Sequence, residues 1–422
     1  MLIFRFLILG LVLLTNTEAI ADASVNKDNS RHGAAKQGSG ICADPSRPPT
    51  MKCAKTPSAA FDNQGTLWLA WAQGGRVYVQ SSTDQGLTFS EAVRVNEEPE
   101  SVVSHIEARP KIMVAPEGQI YLSWMQSLEK HFSSNIRFSR STDGGKTFSR
   151  PITINDNLDT IGHAFDSLAV GPDGKVFIAW LDARDMVKAM AEKKPFNGSS
   201  LYYTWSDDAG AHFKPNTKII DGTCQCCRLQ TEIDLDGNPL VMWRHIFPEN
   251  IRDHALVKFA SWDKPGEINR ITHENWQIDA CPHHGPGLTI DKNGRYHAVW
   301  FSNAPESQGL FYAYSSDSGR TFSTPISFGN PGASHPHVKY ADARVVVAWS
   351  EFDGDRNQVL SMQSLDDGKT WSQPSVLMQT DGGADNPFLI SHGGKIYLYW
   401  GTEKEGFRLG LVPPQNTEMA SN

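Results

Sequence analysis

The sequence predicts an all-β fold assembled from a repeated unit, and two patterns in its 422 residues support this prediction. The first is an octapeptide of the form Ser-x-Asp-x-Gly-x-Thr-aromatic, which is complete at Ser141–Phe148. Its Asp can accept hydrogen bonds from backbone amides two or three residues on, and its Gly adopts a backbone angle that other residues resist. Its aromatic ring anchors the turn to the flanking strands. Related octapeptides recur at Ser82–Phe89, Ser206–Phe213, Ser315–Phe322 and Ser364–Trp371.

The second pattern is a tryptophan at the end of an apolar strand that follows a short Gly- or Asp-containing turn. Such strands are clear at Lys175–Trp180 and Arg344–Trp349. The tryptophans that end them are Trp71, Trp124, Trp180, Trp243, Trp300, Trp349 and Trp400. Seven units at a near-regular spacing predict a β-propeller with seven four-stranded blades around a central axis. Six blades remain the alternative if one terminal unit is incomplete.

The last unit differs from the others, because it lacks the octapeptide and its pattern stops near Val412. We expect its fourth strand to come from the N-terminal segment before Pro57, which would close the ring. The propeller is therefore predicted over residues 49–415, with a short tail over 416–422.

The composition and the first residues of the chain limit which partners and which cellular compartment the protein can have. The chain carries 39 Lys and Arg against 47 Asp and Glu, a formal net charge of −8, which argues against nucleic-acid partners. Residues 1–23 combine Arg5, an apolar run and small residues in the pattern of a signal peptide, and 24–48 form a polar, flexible leader. No later stretch is apolar enough to span a bilayer. We therefore expect a periplasmic or extracellular protein that is a monomer.

The predicted propeller brings chemically active residues to one face. The segments that lead into the first strand of each blade and the loops after the tryptophans share the face opposite the octapeptide turns. Five leading segments in succession carry His or Cys, namely His105–Arg109, His163–Asp166, Cys224–Arg228, Cys281–His284 and His335–His337. Arginines that could hold a carboxylate or phosphate there are Arg109, Arg184, Arg228, Arg244 and Arg252.

The six cysteines leave two interpretations open. In an oxidising compartment they favour disulfides, with Cys42 pairing with Cys53 and with Cys281 bridging to the cysteine-rich segment. Alternatively, thiolates and neighbouring histidines form a soft-metal site for copper or zinc. The ligands of that site would be Cys224, Cys226, Cys227, Cys281, His283 and His284.

The repeated octapeptide resembles the Asp-box, or BNR, repeat of the sialidase superfamily over roughly residues 58–411. This resemblance implies a propeller that acts on or binds a glycan or a small anionic ligand and, if it is an enzyme, a glycoside hydrolase of exo-α-sialidase type. Sialidases clamp the substrate carboxylate with three arginines and use a Tyr nucleophile with an acidic acid/base. Here the expected Arg-Ile-Pro motif is missing, because residues 48–53 read Pro-Pro-Thr-Met-Lys-Cys, and no Tyr is placed clearly at the predicted pocket.

Two functional hypotheses follow from these residues. The first is glycan hydrolysis or binding, in which carboxylates supply acid and base. Candidates for that role are Glu107, Asp166, Asp182, Asp185 and Asp253. The second is a non-catalytic propeller whose Cys and His pocket binds a soft metal or a partner protein.

Overall fold

The computed structural model describes Cys42, Asp44 and residues 46–415. The predicted signal peptide and C-terminal tail lie outside these residues, as does nearly all of the predicted leader. Within them almost all of the regular secondary structure is β-strand, in seven antiparallel sheets that follow one another along the sequence. We call these sheets blades one to seven.

The first three blades are built from strands of two to eight residues. Blade one contains β1 (Lys55–Phe61), β2 (Leu67–Gln73), β3 (Arg76–Ser82) and β4 (Val93–Arg94). Blade two contains β5 (Lys111–Val114), β6 (Ile120–Ser127), β7 (Ser134–Ser141) and β8 (Ile152–Thr153). Blade three contains β9 (His163–Val170), β10 (Val176–Asp182), β11 (Ser199–Ser206) and β12 (Thr217–Thr223), with helix α1 (Arg184–Ala191) between β10 and β11.

The remaining blades repeat this order. Blade four contains β13 (Gln230–Ile233), β14 (Pro239–Arg244), β15 (His254–Ser261) and β16 (Lys264–Arg270), with a short 3₁₀ helix at Pro248–Asn250. Blade five contains β17 (Gly287–Ile290), β18 (Tyr296–Ala304), β19 (Ser307–Ser315) and β20 (Ile326–Phe328). Blade six contains β21 (Ser334–Ala341), β22 (Arg344–Phe352), β23 (Asn357–Ser364) and β24 (Ser375–Thr380). Blade seven contains β25 (Phe388–His392), β26 (Lys395–Thr402) and β27 (Gly406–Leu411).

The blades close into a ring. The first strand of each blade lies against the first strand of the next, and β25 of blade seven lies against β1 of blade one. The predicted seven-bladed propeller is therefore confirmed.

Blade seven departs from the expected four strands. Its sheet has three strands, and no described residue before Pro57 pairs with β27. The N-terminal segment instead forms a 3₁₀ helix at Met51–Cys53 that lies beside β27. Pro48 and Pro49 precede it and lack the amide hydrogens that a sheet ladder requires. The predicted disulfide between Cys42 and Cys53 holds this segment and is confirmed.

The octapeptide turns have the hydrogen bonds that their sequence predicts. In blade two, Asp143 Oδ1 accepts from the Thr147 amide at 3.0 Å, and Asp143 Oδ2 accepts from the Thr147 hydroxyl at 2.6 Å. Ser141 Oγ accepts from the Gly145 amide at 2.9 Å. Gly145 has φ +77°, and a methyl group on it would lie 2.5 Å from the Trp68 ring of blade one. Each turn thus also fixes the distance between neighbouring blades.

The core lies within and between the blades. The seven strand-ending tryptophans are all buried, none more than 1% exposed, and are among the largest fully buried side chains. Each one packs with apolar residues of its own or an adjacent blade. The core therefore holds the blade edges at fixed positions around the axis, and the loops at their ends form the candidate site.

Candidate functional site

Glu107 joins segments from five different parts of the ring. Its Oε2 accepts hydrogen bonds from the amides of Arg228 and Gly285, each at 3.1 Å. Its Oε1 is 3.4 Å from Asn386 Nδ2 and 3.8 Å from His335 Nε2. The segments leading into blades two, four, five, six and seven therefore meet around one buried carboxylate. We call this group of residues the central mouth.

Arg109 is an internal ion-pair partner at the central mouth. Its Nη1 and Nη2 each donate to an Asp385 carboxylate oxygen at 2.7 Å, and they also donate to the carbonyl oxygens of Pro57 and Ile106. The guanidinium lies 4.2 Å above the Phe388 ring. Burial raises the pKa of Asp385, and Arg109 opposes this shift. The polar hydrogens of Arg109 are thus directed at protein atoms.

Arg244 is also occupied by protein groups. Its Nη1 donates to the Arg252 carbonyl at 2.7 Å, and its Nη2 donates to the carbonyls of His284 and Phe301 at 3.2 and 2.8 Å. The guanidinium lies 5.0 Å from the centroid of the Trp276 ring. Arg244 therefore links the loop between β14 and β15 of blade four to blade five through hydrogen bonds.

The other arginine candidates have different positions. Arg228 donates to the Pro286 carbonyl at 2.5 Å, while its buried Nε has no hydrogen-bond partner among the described residues. Arg184 lies at the start of α1 and is paired with Asp182 and Asp156. Arg184 is therefore held within blade three and does not contact the central mouth residues.

The remaining candidate carboxylates lie in separate hydrogen-bond networks. Asp182 is fully buried, and its pKa is lowered to about 2 because bonds from His163 and Arg184 outweigh the effect of burial. The other three are held by different partners: Asp166 by Lys111 and Ser123, Asp185 by Ser200 and Tyr202, and Asp253 by Arg270 and Asn275. Of the candidate acids, Glu107 alone contacts the central mouth in these networks of described residues.

The cysteine-rich segment forms a compact cluster of thiols. Cys224 Sγ lies 3.8 Å from both Cys226 Sγ and Cys227 Sγ, and all three side chains are buried. Cys281 is exposed, and its sulfur lies within 4.8 Å of Cys226 Sγ and of a ring nitrogen of His283. These four cysteines are thiols in the structure, so the expected bridge through Cys281 is not formed. We call the side chains of Cys224, Cys226, Cys227, Cys281 and His283 the thiol cluster.

Hydrogen bonds from neighbouring thiols and nearby charges favour thiolate at Cys224 and Cys281, whereas hydrogen bonding to Cys224 raises the pKa of Cys226 and burial raises the pKa of Cys227. Hydrogen bonds from Cys226 and Cys227, together with the charges of Arg244 and Arg252, hold the pKa of Cys224 well below its usual range. Arg252 Nη1 donates to Cys224 Sγ at 3.3 Å. The hydrogen bond with Cys226 lowers the pKa of Cys281 to about 7. Thiolates are the form in which cysteine binds metal ions.

The last two histidine candidates differ in their contacts. His283 Nδ1 lies 3.2 Å from the Cys226 carbonyl oxygen, which places its ring beside the thiols. His284 stacks on Phe301 at 4.0 Å between ring centroids and lies 4.4 Å from the His335 ring. Burial keeps the pKa of His284 well below its usual value. His283 therefore belongs to the thiol cluster, and His284 belongs with the central mouth.

The structure also contains a cavity of about 310 Å³, with a mixed polar and apolar lining, that the sequence analysis did not identify. It is lined by the innermost strands and includes Glu232, His337 and Lys339. Burial raises the pKa of Glu232, and Lys339 opposes this shift. The available indication was the run of three polar residues, Gln230, Thr231 and Glu232, in a first strand, because alternate residues of such a strand face the propeller axis.

Comparison with known proteins identifies the protein family of the chain. The model of the BNR repeat-like domain family matches residues 186–399, which is half of the sequence. The chain therefore belongs to this family of sialidase-like β-propeller proteins. No curated protein gives a significant match.

Solved structures share the fold at low sequence identity. The polysaccharide lyase Uly1 is 10% identical, with 92% of this chain and 95% of that chain covered and a TM-score of 0.54. A PL25 ulvan lyase bound to -[GlcA(1-4)Rha3S]- is 11% identical, with 85% and 93% covered and a TM-score of 0.54. The Hadza microbial sialidase Hz136 is 14% identical, with 82% and 76% covered and a TM-score of 0.48. At these identities the similarity concerns the fold. None of the helices in the described residues has the length and apolar character needed to cross a membrane.

Proposed function

We propose that this chain binds a soft metal ion, copper or zinc, through the thiol cluster. The observation that carries the proposal is the convergence of three buried thiols with Cys281 and His283. Thiolate and imidazole are the donors that Cu(I) and Zn²⁺ prefer. The central mouth beside the cluster provides a rigid frame, because buried ion pairs and backbone hydrogen bonds hold its segments.

The distances between the sulfurs fit a shared ion. Two sulfurs that each lie about 2.3 Å from one metal ion are roughly 3.8 to 4.0 Å apart at tetrahedral or trigonal angles. Cys224 Sγ lies 3.8 Å from Cys226 Sγ and 3.8 Å from Cys227 Sγ. The ligand atoms therefore need little rearrangement to bind an ion.

We place this function outside the cytoplasm. The signal-peptide pattern of residues 1–23 and the disulfide between Cys42 and Cys53 support an oxidising compartment. Four free thiols within one cluster are vulnerable to oxidation there. A bound soft metal would occupy the sulfur lone pairs and protect them, which accounts for thiols and a disulfide in one exported chain.

The arginine contacts favour metal binding over a carboxylate clamp. Arg109 and Arg244 direct their terminal nitrogens at protein oxygens, and Arg252 bonds to Asn250 and Cys224. A substrate anion would have to displace these buried partners, which costs the free energy of leaving them unpaired.

Elemental analysis of full-length protein isolated from its natural export route tests the proposal. We expect copper or zinc to co-purify in the wild type, to be lost in Cys226→Ser and to be reduced in His283→Ala. The control is the double variant Cys42→Ser/Cys53→Ser, which makes the same substitution away from the thiol cluster and should retain the metal. A metal-free wild type with all four thiols of the cluster oxidised would overturn the proposal.

Glycan binding or hydrolysis is the second candidate function. The observation that favours it is Glu107, a buried carboxylate beside His335 at the central mouth of a propeller. Proteins of similar fold are named as polysaccharide lyases and as a sialidase. As an enzyme, the chain would be a glycoside hydrolase of exo-α-sialidase type that acts as a monomer.

Aryl glycosides, including an aryl α-sialoside, test this second candidate. Dye release that is lost in Glu107→Gln and in Arg252→Ala, with unfolding midpoints unchanged, would support hydrolysis. The absence of both turnover and binding across a broad glycan panel would argue against glycan binding or hydrolysis.

A further inference from the structure

We infer that the thiol cluster holds two Cu(I) ions that share the Cys226 sulfur as a bridging ligand. This inference rests on the proposed metal-binding function and specifies the ion, its number and the bridge. It follows from the spacing of the donors, from their number and from the charge around them.

The five donors divide into two groups of three. Cys224, Cys226 and Cys227 form one group, and Cys226, Cys281 and His283 form the other. Within each group all ligand atoms lie within 4.8 Å of one another, and no larger group of described residues meets that spacing. One ion therefore cannot contact all five donors in this arrangement. Cys226 belongs to both groups, so its sulfur lies where two ions would meet.

The number of donors favours Cu(I) over Zn²⁺. Structural zinc sites are almost always four-coordinate, whereas each group here offers three ligands. Soft thiolate ligands suit Cu(I) as well as zinc, so it is the set of three donors in each group that favours Cu(I), and a thiolate has enough lone pairs to bind two such ions. Two three-coordinate Cu(I) ions use Cys226 twice and each of the other four donors of the cluster once.

The buried charge also favours a monovalent ion. Four thiolates and two Cu(I) ions leave two negative charges, and two guanidinium groups, Arg252 and Arg244, act on Cys224 from nearby. These two positive charges balance the cluster. Two divalent ions would instead leave two uncompensated positive charges next to buried arginines, and burying unpaired charge is costly.

Exposure distinguishes the two positions. The inner group is made of three buried cysteines, whereas the outer group includes exposed Cys281 and half-buried His283. The outer ion can therefore exchange with solvent ligands more readily than the inner ion. On loading, the S–H bonds of the cysteines that are still protonated break, their protons pass to solvent, and Cu–S and Cu–N bonds form. Copper stays in the Cu(I) state, so the step needs no oxidant or reductant.

Anaerobic titration of the reduced, full-length protein with Cu(I) against a chromogenic chelator tests the inference. We expect two equivalents to bind to the wild type, in a tight and a weaker step. Cys281→Ser, which alters an exposed side chain, should keep the tight step and lose the weaker one. In Cys226→Ser, both steps should weaken at least a hundred-fold in affinity, so that neither is seen in the titration. Cys42→Ser/Cys53→Ser should still bind two equivalents, which shows that the sulfurs of the disulfide do not contribute.

X-ray absorption at the copper edge of the fully loaded protein checks the bridge directly. A copper–copper scattering path that disappears in Cys281→Ser supports the shared Cys226 sulfur. A single equivalent in the wild type, unchanged in Cys281→Ser, would overturn the two-ion inference while leaving metal binding in place. Two equivalents without a copper–copper path would overturn the bridge. No binding of Cu(I) or Zn²⁺ at all would overturn the proposed function itself.

Discussion

Arg109 and Asp385 lie 276 residues apart in the sequence, yet two nitrogens of Arg109 are each 2.7 Å from a carboxylate oxygen of Asp385. Arg109 precedes blade two and Asp385 precedes blade seven, so this ion pair spans the junction at which the ring closes. Both side chains are about 7% exposed or less. Arg109, one of the five arginines that the sequence predicted to hold a ligand, is thus committed to ring closure.

Replacement of Asp385 should destabilise the propeller strongly. In Asp385→Asn, the buried Arg109 charge loses its partner, and we expect a loss of about 3–5 kcal/mol in the free energy of unfolding. Urea denaturation followed by tryptophan fluorescence measures this change. Asp381→Asn is the matched control, because its side chain is 56% exposed and its pairs should contribute at most about 1 kcal/mol. Equal effects of the two substitutions would refute a structural role for the buried pair.

Gly145 and Gly144 provide a matched pair for the packing between blades. Both have positive φ, but a methyl group would meet the Trp68 ring at 2.5 Å from Gly145 and would meet nothing within 4 Å from Gly144. Gly144→Ala should therefore cost about 1 kcal/mol for the backbone angle. Gly145→Ala should cost a further 1–3 kcal/mol, roughly, for the clash. Thermal unfolding of both variants checks the difference, and indistinguishable midpoints would contradict it.

The Asp-box aspartates should make stability depend on pH in strong acid. Hydrogen bonds from Thr88 lower the pKa of Asp84 from 3.8 to about 2. Because the folded pKa is lowered, this contribution is complete above the unfolded value and is lost as pH falls through about 2. The free energy of unfolding of the wild type should therefore decline more steeply between these pH values than that of Asp84→Asn.

Thr88→Val is the companion variant for this pH prediction, because it removes the hydroxyl donor and keeps the amide. It should show an intermediate slope when unfolding is measured across the acid range. Identical slopes for the wild type and both variants would show that the pKa of Asp84 is not lowered by folding.

Arg252 should raise the Cu(I) affinity of the thiol cluster and its thiolate content through its hydrogen bond to Cys224. In Arg252→Gln, the charge-assisted hydrogen bond to Cys224 Sγ is lost, and we expect Cu(I) affinity to fall about ten-fold or more. The ultraviolet absorbance of thiolate in the metal-free, reduced protein should also fall at neutral pH. Arg137→Gln makes the same substitution at a partly buried ion pair with Glu100 and should leave both readouts unchanged. An equal loss of affinity in both variants would indicate general destabilisation.

Local patterns were sufficient to predict the blades. The hydrogen bonds between Asp143 and Thr147 join residues four apart, and strand β10, which contains Trp180, is defined by its own apolar residues. Contacts of this range depend on neighbouring residues, so a sequence pattern contains them. The missing fourth strand of blade seven was harder to anticipate, since it depends on how the segment before Pro57 packs beside β27.

The functional roles of the candidate residues depended on longer-range contacts. Sequence reasoning grouped Glu107, Arg109 and Arg252 as site residues, because all three precede or follow strands on the same face. It did not indicate that Glu107 bonds to the Arg228 and Gly285 amides or that Arg252 donates to Cys224. Charged side chains look alike in a sequence whether they face a ligand or a buried partner.

The sequence by itself determined the repeat, predicted a ring of seven blades with six as the alternative, and identified the residues that could reach the mouth of the ring. These follow from periodicity, because each blade folds on contacts between residues close in the chain. The tertiary structure alone decided that Arg109 pairs with Asp385 and that Cys226 lies between two groups of metal ligands. Those pairings are set by which loops meet when the ring closes, and a charge buried there must be satisfied by whatever group the fold brings within hydrogen-bonding distance.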